Sequence, residues 1–78
     1  MKLQAFEHKH DYVFDLHFSN QHCSEVDLAP LVQTYIEPSA IDTAAIDPEW
    51  GCLVFKAGMV DIEPKTLYRF ATTHSQAS

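Results

Sequence analysis

The sequence is short of several things at once, and each shortage closes off a class of function. It has two glycines, two cysteines and five Lys or Arg in 78 residues. So few glycines cannot build the glycine-rich loop that wraps a phosphate. Cys23 and Cys52 lie far apart with no Cys-x-x-Cys spacing, which is too little for a disulfide scaffold. No stretch approaches the ~20 apolar residues of a membrane span. Met1-Lys2-Leu3 leads into no apolar leader run. The chain therefore reads as cytoplasmic, with reduced thiols.

The missing charge is the most informative absence. From Asp11 to Phe55 there is no Lys or Arg, while Asp11, Asp15, Glu25, Asp27, Glu37, Asp42, Asp47 and Glu49 all fall in that stretch, and the net charge is −6. Binding a nucleic-acid backbone needs clustered cations, and so does binding an anionic membrane surface. Neither is expected as a partner. A basic protein would be attracted. The plain alternative is a solvated acidic surface that binds nothing.

What is present is globular. The chain is 46% hydrophobic and 21% charged, with five Phe, three Tyr and one Trp. A single domain spanning 1–78 is expected, with a core from about 3 to 71 and a disordered tail over 72–78. A chain this small buries only about 60–65% of its unfolded surface, so its stability as a monomer is marginal and a homodimer would relieve it.

Residues 3–7 read as a first strand and 8–11 as a turn. Tyr12, Phe14, Leu16 and Phe18 alternate with Val13, Asp15 and His17, the period of a half-buried strand. Ser19-Asn20-Gln21 breaks that pattern as a hairpin, with Asn20 the residue suited to a left-handed turn. The return strand covers 22–26. Asp27 can cap a helix whose apolar positions are Leu28, Leu31, Val32 and Tyr35, and which ends before Glu37-Pro38. Residues 39–45 admit either a helical turn or the approach to a strand. Asp47-Pro48-Glu49-Trp50-Gly51 is turn chemistry. Residues 52–55 are a central strand and 56–59 a turn or bulge. Val60-Asp61-Ile62 ends a strand or turn, and Pro64 opens a helix capped by Asp61 or Glu63, with a stripe of Leu67, Phe70 and Ala71. The expected fold is α+β: a small antiparallel sheet in the order β-β-β-α-β-β-α, with helices on one face. Its expected core is Tyr12, Phe14, Leu16, Phe18, Leu31, Leu53, Phe55 and Leu67.

The ordered set D-Y-V-F-D-L-H-F-S-N, D-L-A-P-L, D-P-E-W-G-C-L-V-F and D-I-E-P-K-T-L-Y resembles the bacterial domain of unknown function 2442, over about Asp11 to Tyr68. Gln21 stands where that family usually has glycine. Its W-P-N-G segment appears here as Phe55-Lys56-Ala57-Gly58, and one extra residue lies between Gly58 and Asp61. The resemblance implies a compact α+β domain with no assigned activity. It also implies likeness to the N-terminal half of larger relatives that carry a helix-turn-helix. Other members are encoded beside a small partner, as in toxin–antitoxin pairs.

Two readings of function follow. The first is a non-enzymatic protein-interaction module, antitoxin-like or accessory to a basic partner encoded nearby, without a cofactor. Its candidate interface residues are Trp50, Asp61 and Tyr68, an exposed tryptophan being a good anchor. For Trp50 the competing reading is burial over the sheet. The second is a small metal-binding or enzymatic protein using His8, His10, His17, His22 and Cys23. His8 and His10 would share a strand face, but no spacing matches a zinc motif. A nucleophile made of Cys23 beside His22, or of Cys52 with a distant His, would need an electropositive setting that this acidic chain does not offer. The carboxylates at 47, 49, 61 and 63 are explained by turns and caps.

Overall fold

The computed structural model describes residues 1–74. Three strands come first: β1 Leu3–His10, β2 Val13–Phe18 and β3 Cys23–Asp27. A four-residue helix, α1 Ala29–Val32, leads to a 3-10 turn over Pro38–Thr43. Three shorter strands follow, β4 Ala45–Ile46, β5 Leu53–Phe55 and β6 Val60–Ile62, and then helix α2 Pro64–His74. The domain is α+β, but its strands form two antiparallel three-stranded sheets, ordered β1-β2-β3 and β4-β5-β6, in place of the single sheet expected. The added strand is β4, which resolves the ambiguous 39–45 stretch into a 3-10 turn followed by a strand.

The alternation read in β2 holds. Phe14, Leu16 and Phe18 are fully buried, and they join Leu53, Phe55 and Leu67 in one cluster. Phe14 binds the two sheets together: its ring meets Phe55 edge-on at 6.1 Å, and Phe6 and His8 pack on its other sides. Phe18 meets Tyr68 of α2 edge-on at 5.2 Å. Tyr12 and Leu31 are only half-buried. For Tyr12 the reason is its hydroxyl, which donates to the Ile36 carbonyl and keeps one end of the ring polar. Leu3, Val26, Leu28, Val32, Ile36, Ala40, Ile41, Ile62 and Ala71 complete that cluster. Val13, expected on the solvent side, is buried.

Several local expectations are corrected. β1 runs on through 8–10 as strand and the turn is confined to residues 11–12, where Asp11 takes φ +46. Register shifts within β1, between Leu3 and Ala5 and between His8 and His10, mark bulges at Gln4 and Lys9. Each adds one residue and reverses the side-chain alternation. In the first hairpin the left-handed residue is Gln21, at φ +71, not Asn20; the Asn20 side chain instead accepts from the His22 amide at 3.1 Å. Glycine would take that positive φ without Cβ strain, and Gln21 carries the strain here.

Asp27 does serve the start of α1, accepting the Ala29 amide at 2.9 Å. The helix is far shorter than expected. The Val32 carbonyl accepts from both the Tyr35 and Ile36 amides, so the ladder tightens and stops there. Tyr35 is left exposed and Ile36 is carried into the core. The Phe55–Met59 turn places Lys56, Ala57 and Gly58 all at positive φ. Lys56 is anchored there by its amide to Thr43 Oγ1 and its ammonium to Glu37. The Glu37 carboxyl sits below its ordinary range, first through its own backbone amide and then through Lys56.

At the last element, Pro64 opens α2 as read, and the Leu67 amide donates to the Glu63 carbonyl. Leu67 and Ala71 are buried, with Phe70 half-buried beside them. The helix continues through 72–74, where Thr72 and Thr73 hydroxyls both donate to the Arg69 carbonyl. That part of the expected tail is thus helical, and the rest of it, 75–78, lies outside the described residues. No helix among the described residues is long and apolar enough to cross a membrane.

Candidate functional site

The Asp47–Gly51 turn builds the most distinctive surface. Asp47 Oδ1 accepts the Glu49 amide at 2.9 Å and the Trp50 amide at 3.4 Å, and the Asp47 carbonyl accepts the Gly51 amide at 2.7 Å. Gly51 lies at φ +73, and a Cβ there would meet Lys2 Cβ at 2.3 Å. Glycine is required for both reasons. Lys2 closes over the turn, donating from Nζ to the Glu49 carbonyl at 2.9 Å, while Leu3 donates to the Gly51 carbonyl. The turn so fixed holds Trp50 out at its tip, 65% exposed. Of the two readings of Trp50, the exposed one holds.

Below Trp50 lies a hollow of about 580 Å3. Cys52 is buried at its side, and three carboxylates, Asp47, Asp61 and Glu63, line it together with two ammonium groups, Lys2 and Lys65. Burial first, then the charges of Asp61, Asp47 and Glu63, push the Cys52 thiol up. Both causes disfavour the Cys52 thiolate, the form in which a cysteine is nucleophilic.

A second hollow, of about 450 Å3, opens on the other side of β6. Asp61 and Glu63 line it too, together with Tyr35, Met59 and Leu31. Tyr35 is 64% and Met59 85% exposed. β6 is an edge strand, so its outer backbone groups have no strand beside them. The two hollows form one surface: an acidic strip of Asp61 and Glu63 between an aromatic shoulder at Trp50 and an apolar one at Tyr35 and Met59. Tyr35 and Met59 went unnoticed in the sequence as surface residues, and Glu63 was read only as a turn or cap carboxylate. Tyr35 was assigned to a helix stripe, and only the early stop of α1 exposes it.

Of the three expected interface residues, the fold brings Trp50 and Asp61 together. Tyr68 lies elsewhere, half-buried with its ring edge-on to Phe18 and His22. A helix stripe and an aromatic strand meet there, so packing claims the ring.

The expected histidine cluster is dispersed. The Lys9 bulge sets His8 opposite Phe14 and His10 opposite Val13, so the two face opposite sides of the sheet and do not share a face. His8 stacks on Phe14 and His10 lies against the Asp11 carboxylate. His22 bonds Ser24 Oγ at 2.6 Å on the inner face. Cys23 pairs with His17, at 3.2 Å from Sγ to Nδ1, and not with His22. Among the described residues no three His, Cys, Asp or Glu side chains converge as metal ligands would.

No curated protein and no solved structure matches the chain. A family model does, described as a protein of unknown function, DUF2442, and it covers residues 4–73. That span takes in both sheets but for the first residue of β1, both helices but for the final residue of α2, and the Trp50 turn, and on it the chain belongs to the DUF2442 family.

Proposed function

We propose that this domain is a non-enzymatic interaction module whose Asp61–Glu63 strip takes a basic segment of a protein partner. The observation that carries the reading is the placement of those two carboxylates between two hollows flanked by exposed Trp50, Tyr35 and Met59. Aromatic side chains and Met held at a surface are the residues that anchor interfaces. The acidic strip supplies the complement to Lys or Arg, which sets encounter rate and selects against acidic competitors. The net charge of −6 adds long-range attraction of the same sign. An accessory or antitoxin-like role in the cytoplasm, toward a basic protein encoded nearby, fits this chemistry. In the partner's absence, self-association of the same edge strands would cover the surface.

The test uses the single tryptophan as reporter. Peptides selected from a random library against the folded domain should be enriched in Lys and Arg beside an apolar residue. Titration of such a peptide should change Trp50 emission saturably. Asp61→Asn with Glu63→Gln should weaken binding at least about tenfold, and added salt should weaken wild-type binding more than that of the double variant. Selected peptides without basic enrichment, or equal affinity for the double variant, would remove the proposal.

A further inference from the structure

The outer face of the first sheet carries a different constellation. Antiparallel register sets Cys23 of β3 directly opposite His17 of β2, and Asp15 lies two residues away on the same face. Cys23 Sγ is 3.2 Å from His17 Nδ1, and His17 Nε2 is 3.2 Å from Asp15 Oδ2. A carboxylate can only accept, so the neutral ring carries its proton on Nε2 and turns the Nδ1 lone pair toward the thiol. In that tautomer the thiol can donate to His17, and the other acceptor in its reach, the Gln21 carbonyl, is farther off at 3.9 Å. Nucleophile, base and orienting carboxylate stand in the order that activates a cysteine for attack.

The setting of Cys23 is acidic and gives the thiolate no electropositive support, so the sulfur has to lose its proton to the neighbouring base as it attacks. Glu7 and Glu25 stand in register on either side of Asp15, so three carboxylates cross the sheet in the row beside the imidazole. Lys9 offsets part of this, at 3.8 Å from Glu7. Cys23 is exposed and lies on an edge strand, whereas Cys52 is buried. The two thiols thus differ in both access and activation.

We propose that Cys23 is a thiol–disulfide exchange site for small solvent-borne disulfides that carry amino groups and no net negative charge, as cystamine does, with His17 as its base and Asp15 as a positioning residue. The Cys23 proton passes to His17 Nδ1 as the sulfur attacks one sulfur of the incoming disulfide. The Cys23–sulfur bond forms and the old S–S bond breaks. The departing thiolate takes its proton back from the His17 imidazolium. Cys23 is oxidised to the mixed disulfide and the leaving sulfur is reduced, so no further oxidant is needed. The adduct would sit on the outer face of β3, away from the β6 strip.

The experiment treats the full chain with cystamine and, separately, with 4,4′-dithiodipyridine at pH 7, with adducts located by peptide mass mapping. A peptide covering residues 20–26, which keeps His22 but lacks His17, is the reference. The first adduct should map to Cys23, and the native chain should react about fivefold or more faster than the peptide. His17→Ala should fall to the peptide's rate, and imidazole added to the buffer should restore it. Asp15→Asn should slow the reaction without imidazole rescue, because the ring still fills the site, and Asp15→Glu should recover it. Initial modification at Cys52, a native rate no higher than the peptide's, or an unchanged rate in His17→Ala would each overturn the proposal. The comparison of wild type with peptide decides even if a variant does not fold.

Discussion

Truncating Phe14 to alanine should remove much of the stability of this domain. Phe14 is fully buried and is the ring through which the first sheet meets the second, by way of Phe55. Phe6 and His8 also pack on it. Burial and cavity effects for Phe→Ala in a core amount to about 3–5 kcal/mol, with aromatic pairing accounting for roughly 0.5–1.5 of this kind of loss. A domain of this size has about 4–12 kcal/mol in all. At about 4–8 °C per kcal/mol for so small a chain, Tm should drop by roughly 12–40 °C. Far-UV circular dichroism melts, with urea unfolding at fixed temperature, measure the effect. Trp50→Ala is the matched control, since its exposed ring should change stability by no more than about 0.5 kcal/mol. If Phe14→Ala melts within about 5 °C of wild type, the second sheet is not docked on that ring and the assigned core is wrong. If Trp50→Ala falls as far as Phe14→Ala, the tryptophan is core and the interaction surface loses its anchor.

Three further outcomes are expected. Gln21→Gly should stabilise by about 1 kcal/mol, because the position sits at φ +71, where a Cβ is penalised; Gly51→Ala should destabilise by at least about 1 kcal/mol for the converse reason, compounded by the Lys2 backbone and side chain beside it, both read by urea midpoints. Stability should decline as pH rises past the ordinary thiol value near 9.0, since the raised Cys52 group keeps its proton when folded and loses it when unfolded; the decline should be smaller in Cys52→Ala, and an unchanged alkaline limb would refute the cause. Sedimentation equilibrium at ~10–100 μM should show a monomer–dimer equilibrium, closed two-fold dimers being the commonest assembly, and a clean monomer across that range would remove self-association from the account.

Legibility in the sequence followed the range of the interaction that decides each feature. The alternation Tyr12 to Phe18, the Asp47-Pro48…Gly51 turn and the Glu63-Pro64 helix start are settled by neighbours in the chain, through side-chain period, proline φ and glycine freedom. The charge asymmetry was legible as well, because it needs only counting. The bulges at Gln4 and Lys9 were not: a bulge is a mismatch between two strands, and no single strand records it. One of those bulges separates His8 from His10, which the alternative metal-binding reading had placed on one strand face. The length of α1 was equally hidden, since the burial of Ile36 beneath Tyr12 ends it from a distance. So was the partner of Cys23. Sequence adjacency suggested His22, but successive residues of a strand face opposite sides, and the register with β2 delivers His17. The acidic strip arises in the same way: Asp61 and Glu63 are local turn and cap residues by pattern, and only the docking of the Trp50 turn on one side and of residues 31–35 on the other makes them the floor of a surface. Local chemistry therefore determined where this chain bends and which side of each strand is apolar, while packing between distant segments decided which side chains meet, because that depends on register, and register is set by the pairing of strands and not by any one of them.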